Sequence, residues 1–314
     1  MSKQIRIGTR DSELAMWQAR TVQNELESRG HQTLLVPVKS QGDLNLDEPL
    51  YEMGITGIFT KTLDVALVKG EIDIAVHSLK DVPTQLPKGM IQAAVMERAD
   101  HRDILVYKSN FNPDDKMTLA TGSLRRKSQW LNIYPLHNVV DLRGNVNTRL
   151  AKLQNNEDWN AAIFAKAGLE RINILKNLRG SYGLEYSHLD SFIPAPAQGA
   201  MMIAAMGNNT AVVNAVSDLN HLETQKCVDV ERLFLRRLEG GCTAPIGAHA
   251  TIQQGRLHFT GCLLSLDGKQ RIQTTGISES LDWKDLEEFA FAKAEHIYNN
   301  GGLTLMASIK EVLK

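Results

Sequence analysis

Cationic side chains crowd into one stretch of this sequence. Between Thr121 and Arg149 lie Arg125, Arg126, Lys127, Arg143 and Arg149, opposed only by Asp141, in a chain of 314 residues whose formal net charge is −1. Arg125 and Arg126 follow Thr-Gly-Ser where an expected strand gives way to a helix. Arg143 precedes Gly-Asn at a second such junction, and Arg10 follows the first strand at a third. Ligands of α/β sheets bind at strand ends, and the free N–H groups of a helix start favour anions. A guanidinium can hold a carboxylate through two parallel bonds. A set of them at several strand ends points to a ligand with many carboxylates. The plainer alternative is that each arginine pairs with a surface Asp or Glu.

Two further positions could carry chemistry. An apolar run from Ile72 to Val76 leads into His77, Ser78, Leu79, Lys80 and Asp81, with Pro83 ending regular structure. A carboxylate just past a strand end can accept N–H bonds, move a proton or stabilise a developing cation; standing alone, it is more often a turn residue. His77 and Ser78 are neighbours on a strand and point to opposite sides, which argues against a Ser-His-Asp triad. The second position is Cys242, behind Gly240 and Gly241. Glycines let the backbone present sulfur on a loop, and an accessible thiolate is a point of covalent attachment. Isolated cysteines usually behave as small buried hydrophobes, the reading given to Cys227 and Cys262.

These residues need elements to position them, and the sequence supplies an alternation. Strands are predicted at 4–7, 34–38, 72–76, 104–107, 118–121, 139–141 and 161–165. Helices are predicted at 12–28 and 58–68, and from near Ser123, Asn145 and Lys166. Strand then helix, repeated, indicates a parallel or mixed sheet covered by helices, an α/β fold. A charged stretch (97–103) and the proline-bearing segment 192–197 read as two crossings between lobes. Lobe 1 is expected from 1–97 with 195–216, and lobe 2 from 98–194. After Glu223 a helix (226–238), three strands (247–252, 257–264, 271–275) and two helices (283–298, 304–313) predict a small α+β domain over 217–314, which carries the Cys242 loop.

Bulk properties exclude several classes. Apolar content of 43% and charged content of 23% are those of a soluble globular chain. The near-zero net charge offers no global attraction to nucleic acid or an anionic membrane. No apolar run is long enough to span a bilayer, and the N-terminal residues lack the apolar core of a signal peptide. Three cysteines without CxxC spacing suggest neither a disulfide framework nor a metal site, and a cytoplasmic location is expected.

The stretches GTRDSELAMWQA, IDIAVHSLKDVPTQLP, GSLRRKSQ, DLRGNVNTRL, PAPAQGA and LEGGCTAPIG, in this order between residues 8 and 247, resemble the hydroxymethylbilane synthases, or porphobilinogen deaminases. The resemblance implies two lobes like those of type II periplasmic binding proteins plus the small C-terminal domain. It implies a monomeric transferase that condenses four porphobilinogen molecules head to tail with loss of four ammonia. The product is linear 1-hydroxymethylbilane, for haem and other tetrapyrroles. A dipyrromethane cofactor, bound by thioether to Cys242, primes the chain. Asp81 falls on the family's catalytic aspartate, and Arg10, Arg125, Arg126, Arg143 and Arg149 on its anion-binding arginines. Ser12, Gln18, Phe59, Lys61, Ser78, Lys80, Thr121, Ser123, Asn145 and Gln198 are expected as secondary contacts, with Phe59 over the reacting ring. Thr56 stands where many members have lysine, Pro196-Ala197 where a more flexible pair is common, and Ala204 where glutamate often sits.

Two other readings are consistent with single features. A two-lobed carboxylate-binding protein without catalysis also needs strand-end arginines, but not a Gly-Gly-Cys loop or a third domain. A cysteine-nucleophile enzyme needs a nearby base, and His249 is the one close in sequence.

Overall fold

The computed structural model describes residues 4–38, 60–109, 111–239 and 244–313. The alternation of strand and helix builds two mixed sheets from residues 5–206. The first contains β1 (Ile5–Thr9), β2 (Thr33–Pro37), β3 (Ile74–Ser78), β4 (Met90–Val95) and a late strand, β10 (Met201–Met206), in the order β2-β1-β3-β10-β4. β1 runs parallel to β2 and β3, while β10 is antiparallel to β3 and β4. The period of two along a strand sends Ile74 and Val76 to one face and Ala75 to the other. Ile74 and Val76 pack with Ala19, Val22 and Leu26 of helix α1 (Glu13–Ser28). Ala75 packs with Leu63, Ala66 and Leu67 of α2 (Lys61–Val68).

The second sheet repeats the plan. It joins β5 (Asp103–Lys108), β6 (Thr118–Ala120), β7 (Asn138–Val140), β8 (Ala161–Ala165) and β9 (Leu184–His188) in the order β7-β6-β8-β5-β9. β6 is parallel to β7 and β8, and β5 is antiparallel to β8 and β9. Helices α3 (Leu124–Ile133), α4 (Val146–Asn155), α5 (Lys166–Arg171) and α6 (Leu178–Tyr182) accompany it. Trp130 of α3 packs on one face with Leu105 and Ile163; Leu150 and Leu153 of α4 pack on the other with Ile104 and Phe164. In both sheets the antiparallel fourth strand is the one the chain enters on arriving from the other sheet. β5 follows the crossing at 97–102, and β10 the crossing at 189–200. Each crossing is therefore anchored in a sheet at both ends.

Helix α7 (Thr210–Ser217) returns across the first sheet, and α8 (Leu222–Arg237) leads to a three-stranded antiparallel meander, β11 (Ile246–Gln253), β12 (Arg256–Leu264) and β13 (Arg271–Ser278). Phe234 of α8 and Leu286 and Ala290 of α9 (Trp283–Ile297) share its core with Phe259. A single π turn, Tyr298–Gly302, with Gly301 at φ +99°, separates α9 from α10 (Leu303–Val312). The hairpin tip of this domain rests on α3. Asn132 Nδ2 donates to Gly268 O at 2.8 Å, and a Cβ on Gly268 would lie 2.6 Å from Ser128 O, so only glycine permits the approach.

The sequence gives no warning of β4, β9, β10, α6 or α7. β10 (MMIAAM) has no alternation because it is central and buried on both faces. β9 is a largely exposed edge strand with little apolar pattern. Helix α8 begins four residues earlier than expected because the His221 ring accepts the N–H of Thr224 as an N-cap.

Candidate active site

An open cleft lies where the ends of the two sheets face each other. Ser78 and Lys80 reach it from the end of β3, Arg126 from α3, Arg149 from α4 and Arg171 from α5; Gln198–Ala200 of the second crossing complete the wall. Ser78 is held by Gln18 on α1, whose Nε2 donates to Ser78 Oγ at 2.9 Å. Asp81 ends a short 3-10 turn, Leu79–Asp81, whose Leu79 side chain is fully buried. The turn therefore follows β3 rigidly; Lys80 lines the cleft, and Asp81 beside it is half-buried, its charge felt by Arg126 and Arg149.

Cations crowd this cleft. Burial pushes the Arg149 guanidinium down to about 10; Arg126, Arg143 and Arg10 push the same way and Asp81 opposes them. Burial also pushes the Lys80 ammonium down to about 8, against the pull of Asp81. Both shifts come chiefly from burial of the charged form, and neighbouring arginines add to them. Arg149 Nε donates to Gly144 O at 2.7 Å, and among the described residues its terminal nitrogens have no hydrogen-bond partner. This is an environment that a bound polyanion relieves.

Arg125 and Arg126 differ from Arg149. Both are buried and share Asp103, the first residue of β5. Arg125 Nη1 donates to Asp103 Oδ2 at 2.7 Å, and Arg126 donates through Nε and Nη2 to Oδ1 at 3.0 and 2.8 Å. Burial alone would raise the Asp103 carboxyl, but the two arginines outweigh it and hold it well below the usual carboxylate range. Arg125 also donates to Ile193 O in the second crossing at 2.9 Å. Gln198 joins the same knot, donating to Asp103 Oδ1 at 2.9 Å and to His101 O at 2.8 Å. Arg125 and Gln198 thus tie together the two crossings, and Arg126 alone of the arginine pair also lines the cleft.

Other candidates act on the local backbone. Ser12 Oγ accepts the N–H of Ala15 as N-cap of α1, and Asn145 Oδ1 accepts that of Thr148 as N-cap of α4. Buried Thr121 accepts the Ser123 N–H at 3.3 Å ahead of α3. Lys61 is exposed at the first residue of α2. Arg143 is buried beside Asp141, and Arg10 is half-buried with its charge felt by His77. Cys242, Phe59 and Thr56 lie outside the described residues. His249 is engaged elsewhere. Its ring stacks on His101 with centroids 3.6 Å apart, and its Nδ1 lies 3.6 Å from Glu231.

Sequence reasoning missed Arg171. Its guanidinium is buried, donates to Gly199 O at 2.6 Å and sits 5.6 Å from the Trp17 ring centre. Nothing in its local sequence marks it, since it closes a short helix like any last-turn arginine. It reaches the cleft only because α5 packs against α1.

The structure is that of a two-lobed α/β protein with a cleft between its sheets, walled by arginines of α3, α4 and α5. The comparisons with known proteins specify which. Residues 5–214 match the family model "Porphobilinogen deaminase, dipyromethane cofactor binding domain", and residues 225–299 match "Porphobilinogen deaminase, C-terminal domain". The porphobilinogen deaminase of Pelobacter propionicus is 38% identical over 313 residues, 98% of this chain and 97% of that one. That of Chloroherpeton thalassium is 40% identical over 280 residues, 87% of each. Among solved structures, the periplasmic aliphatic sulphonate binding protein SsuA from Escherichia coli is 13% identical. It covers 96% of this chain and 88% of its own, with a TM-score of 0.42, too low to add to the fold already described. The chain belongs to the porphobilinogen deaminase family.

Proposed function

We propose that this chain is a hydroxymethylbilane synthase in which Asp81 is the catalytic carboxylate, Cys242 carries the dipyrromethane and the cleft arginines hold the substrate carboxylates. The transferase condenses four porphobilinogen molecules head to tail, releases four ammonia, and adds one water to give 1-hydroxymethylbilane. The observation that supports this reading best is the crowding of Lys80, Arg126, Arg149 and Arg171 around one cleft, with the charges on Lys80 and Arg149 held at a cost. Each pyrrole brings an acetate and a propionate, so the growing chain is the polyanion this cleft lacks.

The dipyrromethane fits the same lining, because Arg149 and Lys80 can bind its carboxylates. When bound, it supplies the nucleophilic pyrrole carbon from which the chain grows. The protein's own residues do the rest. Arg149 directs its terminal nitrogens to carboxylates, and Arg126 adds charge while its orientation is held by Asp103. The Asp81 carboxylate accepts pyrrole N–H bonds, stabilises the cationic carbon left when ammonia departs, and takes up the proton released on coupling. Asp81 adds negative charge beside Arg126 and Arg149, which keeps the site from repelling a cation outright. The reading extends to a monomer acting in the cytoplasm on free small molecules, without nucleic acid or membrane. No described helix is long and apolar enough to cross a membrane. Cys227 and Cys262 are free and buried, their thiols pushed up to about 12 and about 11 chiefly by burial.

An intact mass of the purified protein beside Cys242→Ala tests the attachment. The native chain should exceed its sequence mass by two porphobilinogen units less two ammonias, and the variant should lack that increment. An increment retained in Cys242→Ala, or absent from native protein even after incubation with porphobilinogen, would overturn the assignment. Asp81→Asn and Asp81→Glu should keep the fold and lose most turnover; undiminished turnover in both would remove Asp81 from the chemistry.

A further inference from the structure

The turn that carries Lys80 and Asp81 is not held by its own sheet alone. On one side Leu79 N–H donates to Ala200 O, at the entry to β10, at 3.1 Å. On the other side its carbonyls face helix α8, and a single guanidinium there collects three of them. Arg232 Nη1 donates to Val82 O at 2.9 Å and to Leu79 O at 3.3 Å, and Nη2 donates to Pro83 O at 2.7 Å. Leu79 O also accepts the Val82 N–H within the turn at 3.1 Å, and Val82 O and Pro83 O belong to the segment that leaves it. Arg232 therefore ties the turn and its exit segment together as one unit. Arg232 is 150 or more residues away in sequence from Leu79 and Val82.

α8 has a second connection to the chemistry. It runs to Arg237, and the chain then reaches Cys242 within five residues. The element that grips the Asp81 turn is thus the one that precedes Cys242 in the sequence. One residue earlier on the same helix, Glu231 binds Arg98 at 2.6 Å and the N–H of Ala250 at 2.7 Å. α8 is therefore locked to both the first sheet and the third. Loss of the Arg232 bonds would let the Asp81 turn move relative to α8 and so relative to anything tethered just beyond that helix.

We infer that Arg232 is a positioning residue of the condensation: it sets the Asp81 turn relative to the tethered chain end without touching substrate. The inference rests on the reading of Asp81 as the catalytic carboxylate. A residue that only docked the C-terminal domain would affect stability; one that places a carboxylate against a reacting carbon affects the turnover number. A misplacement of about 1 Å can slow a reaction on the order of a hundredfold.

The test uses holoenzyme, with primer content read by intact mass and rates normalised to primer-bearing protein. In Arg232→Leu, kcat should fall roughly ten- to a hundredfold while KM stays within about threefold, the pattern of an interaction lost in the transition state rather than in binding. Arg232→Lys, whose ammonium can still reach the nearer carbonyls, should recover part of the loss. Wild-type kcat in primer-bearing Arg232→Leu, or a rise in KM alone, overturns the inference. If Arg232→Leu does not fold, Arg232→Lys decides: a lowered kcat at unchanged KM supports the inference, and a wild-type kcat ends it. Asp81→Asn is measured in parallel. Retained turnover there defeats the catalytic reading itself, whereas turnover lost in Asp81→Asn and kept in Arg232→Leu defeats only the role of Arg232.

Discussion

Ala197 donates its backbone N–H to Glu231 Oε2 at 2.6 Å while its own φ of +63° lies in the left-handed region. A residue with a Cβ adopts that conformation at a cost of about 1 kcal/mol or more, so the carboxylate compensates strain inside the second crossing. Glu231 also takes Arg98 and the Ala250 N–H, and is fully buried. One side chain on α8 thereby joins both crossings and the third sheet. Glu231→Gln keeps the volume but removes the charge and points an NH2 group at donors. Denaturant unfolding should show a loss of about 3–5 kcal/mol, the cost of breaking a buried pair from one side. A loss under about 1 kcal/mol would mean that Arg98 finds another partner.

Arg149 and the Arg125–Arg126 pair should respond oppositely to removal. Arg149→Met gives up the bond to Gly144 O, worth about 1 kcal/mol, but relieves repulsion from Arg126, Arg143 and Arg10. The thermal midpoint should move by only a few degrees while KM for porphobilinogen rises roughly ten- to a hundredfold through loss of a charged contact. Arg126→Met should instead destabilise strongly, because it strips Asp103 of half its support. A large drop in midpoint for Arg149→Met with unchanged KM would make that arginine structural.

Acid should weaken the fold in two windows. Burial, together with Arg10, holds His77 down at about 4, and burial with His249 and Arg98 does the same for His101. The unfolded values are about 6.5, so between pH 6.5 and 4 the unfolded chain binds more protons and stability falls as pH falls. Each full proton difference contributes a slope of about 1.4 kcal/mol per pH unit. Below that window the carboxylates act. Burial would raise Glu231, yet Arg98 and His249 hold it at about 2, and Asp103 is held lower still. Their contribution is present above the unfolded values of about 4 and is lost as pH drops through the folded ones. Denaturant midpoints from pH 3 to 7 check this, with His77→Gln expected to flatten the upper window. A midpoint independent of pH between 4 and 6.5 would refute the assignment to these histidines.

The sequence by itself determined the local elements that hydrophobic period and caps can encode. β5, β6 and β8 lie within a residue or two of their predicted spans, and Ser12 and Asn145 start α1 and α4 where side-chain oxygens can cap N–H groups. It also placed a carboxylate and several arginines at strand ends, since strand-to-helix junctions are visible in the pattern of residues. What each cation faces was decided only by the tertiary structure. Arg125 and Arg126 differ from Arg149 because Asp103, about 22 residues earlier, folds against one helix and not the other. Arg171 enters the cleft through α5 packing on α1, and Arg232 meets the Asp81 turn across 150 residues of chain. Periodicity reports which face of an element is buried. It carries no record of which distant charge or carbonyl arrives there, because those pairings follow from how the sheets and α8 come together.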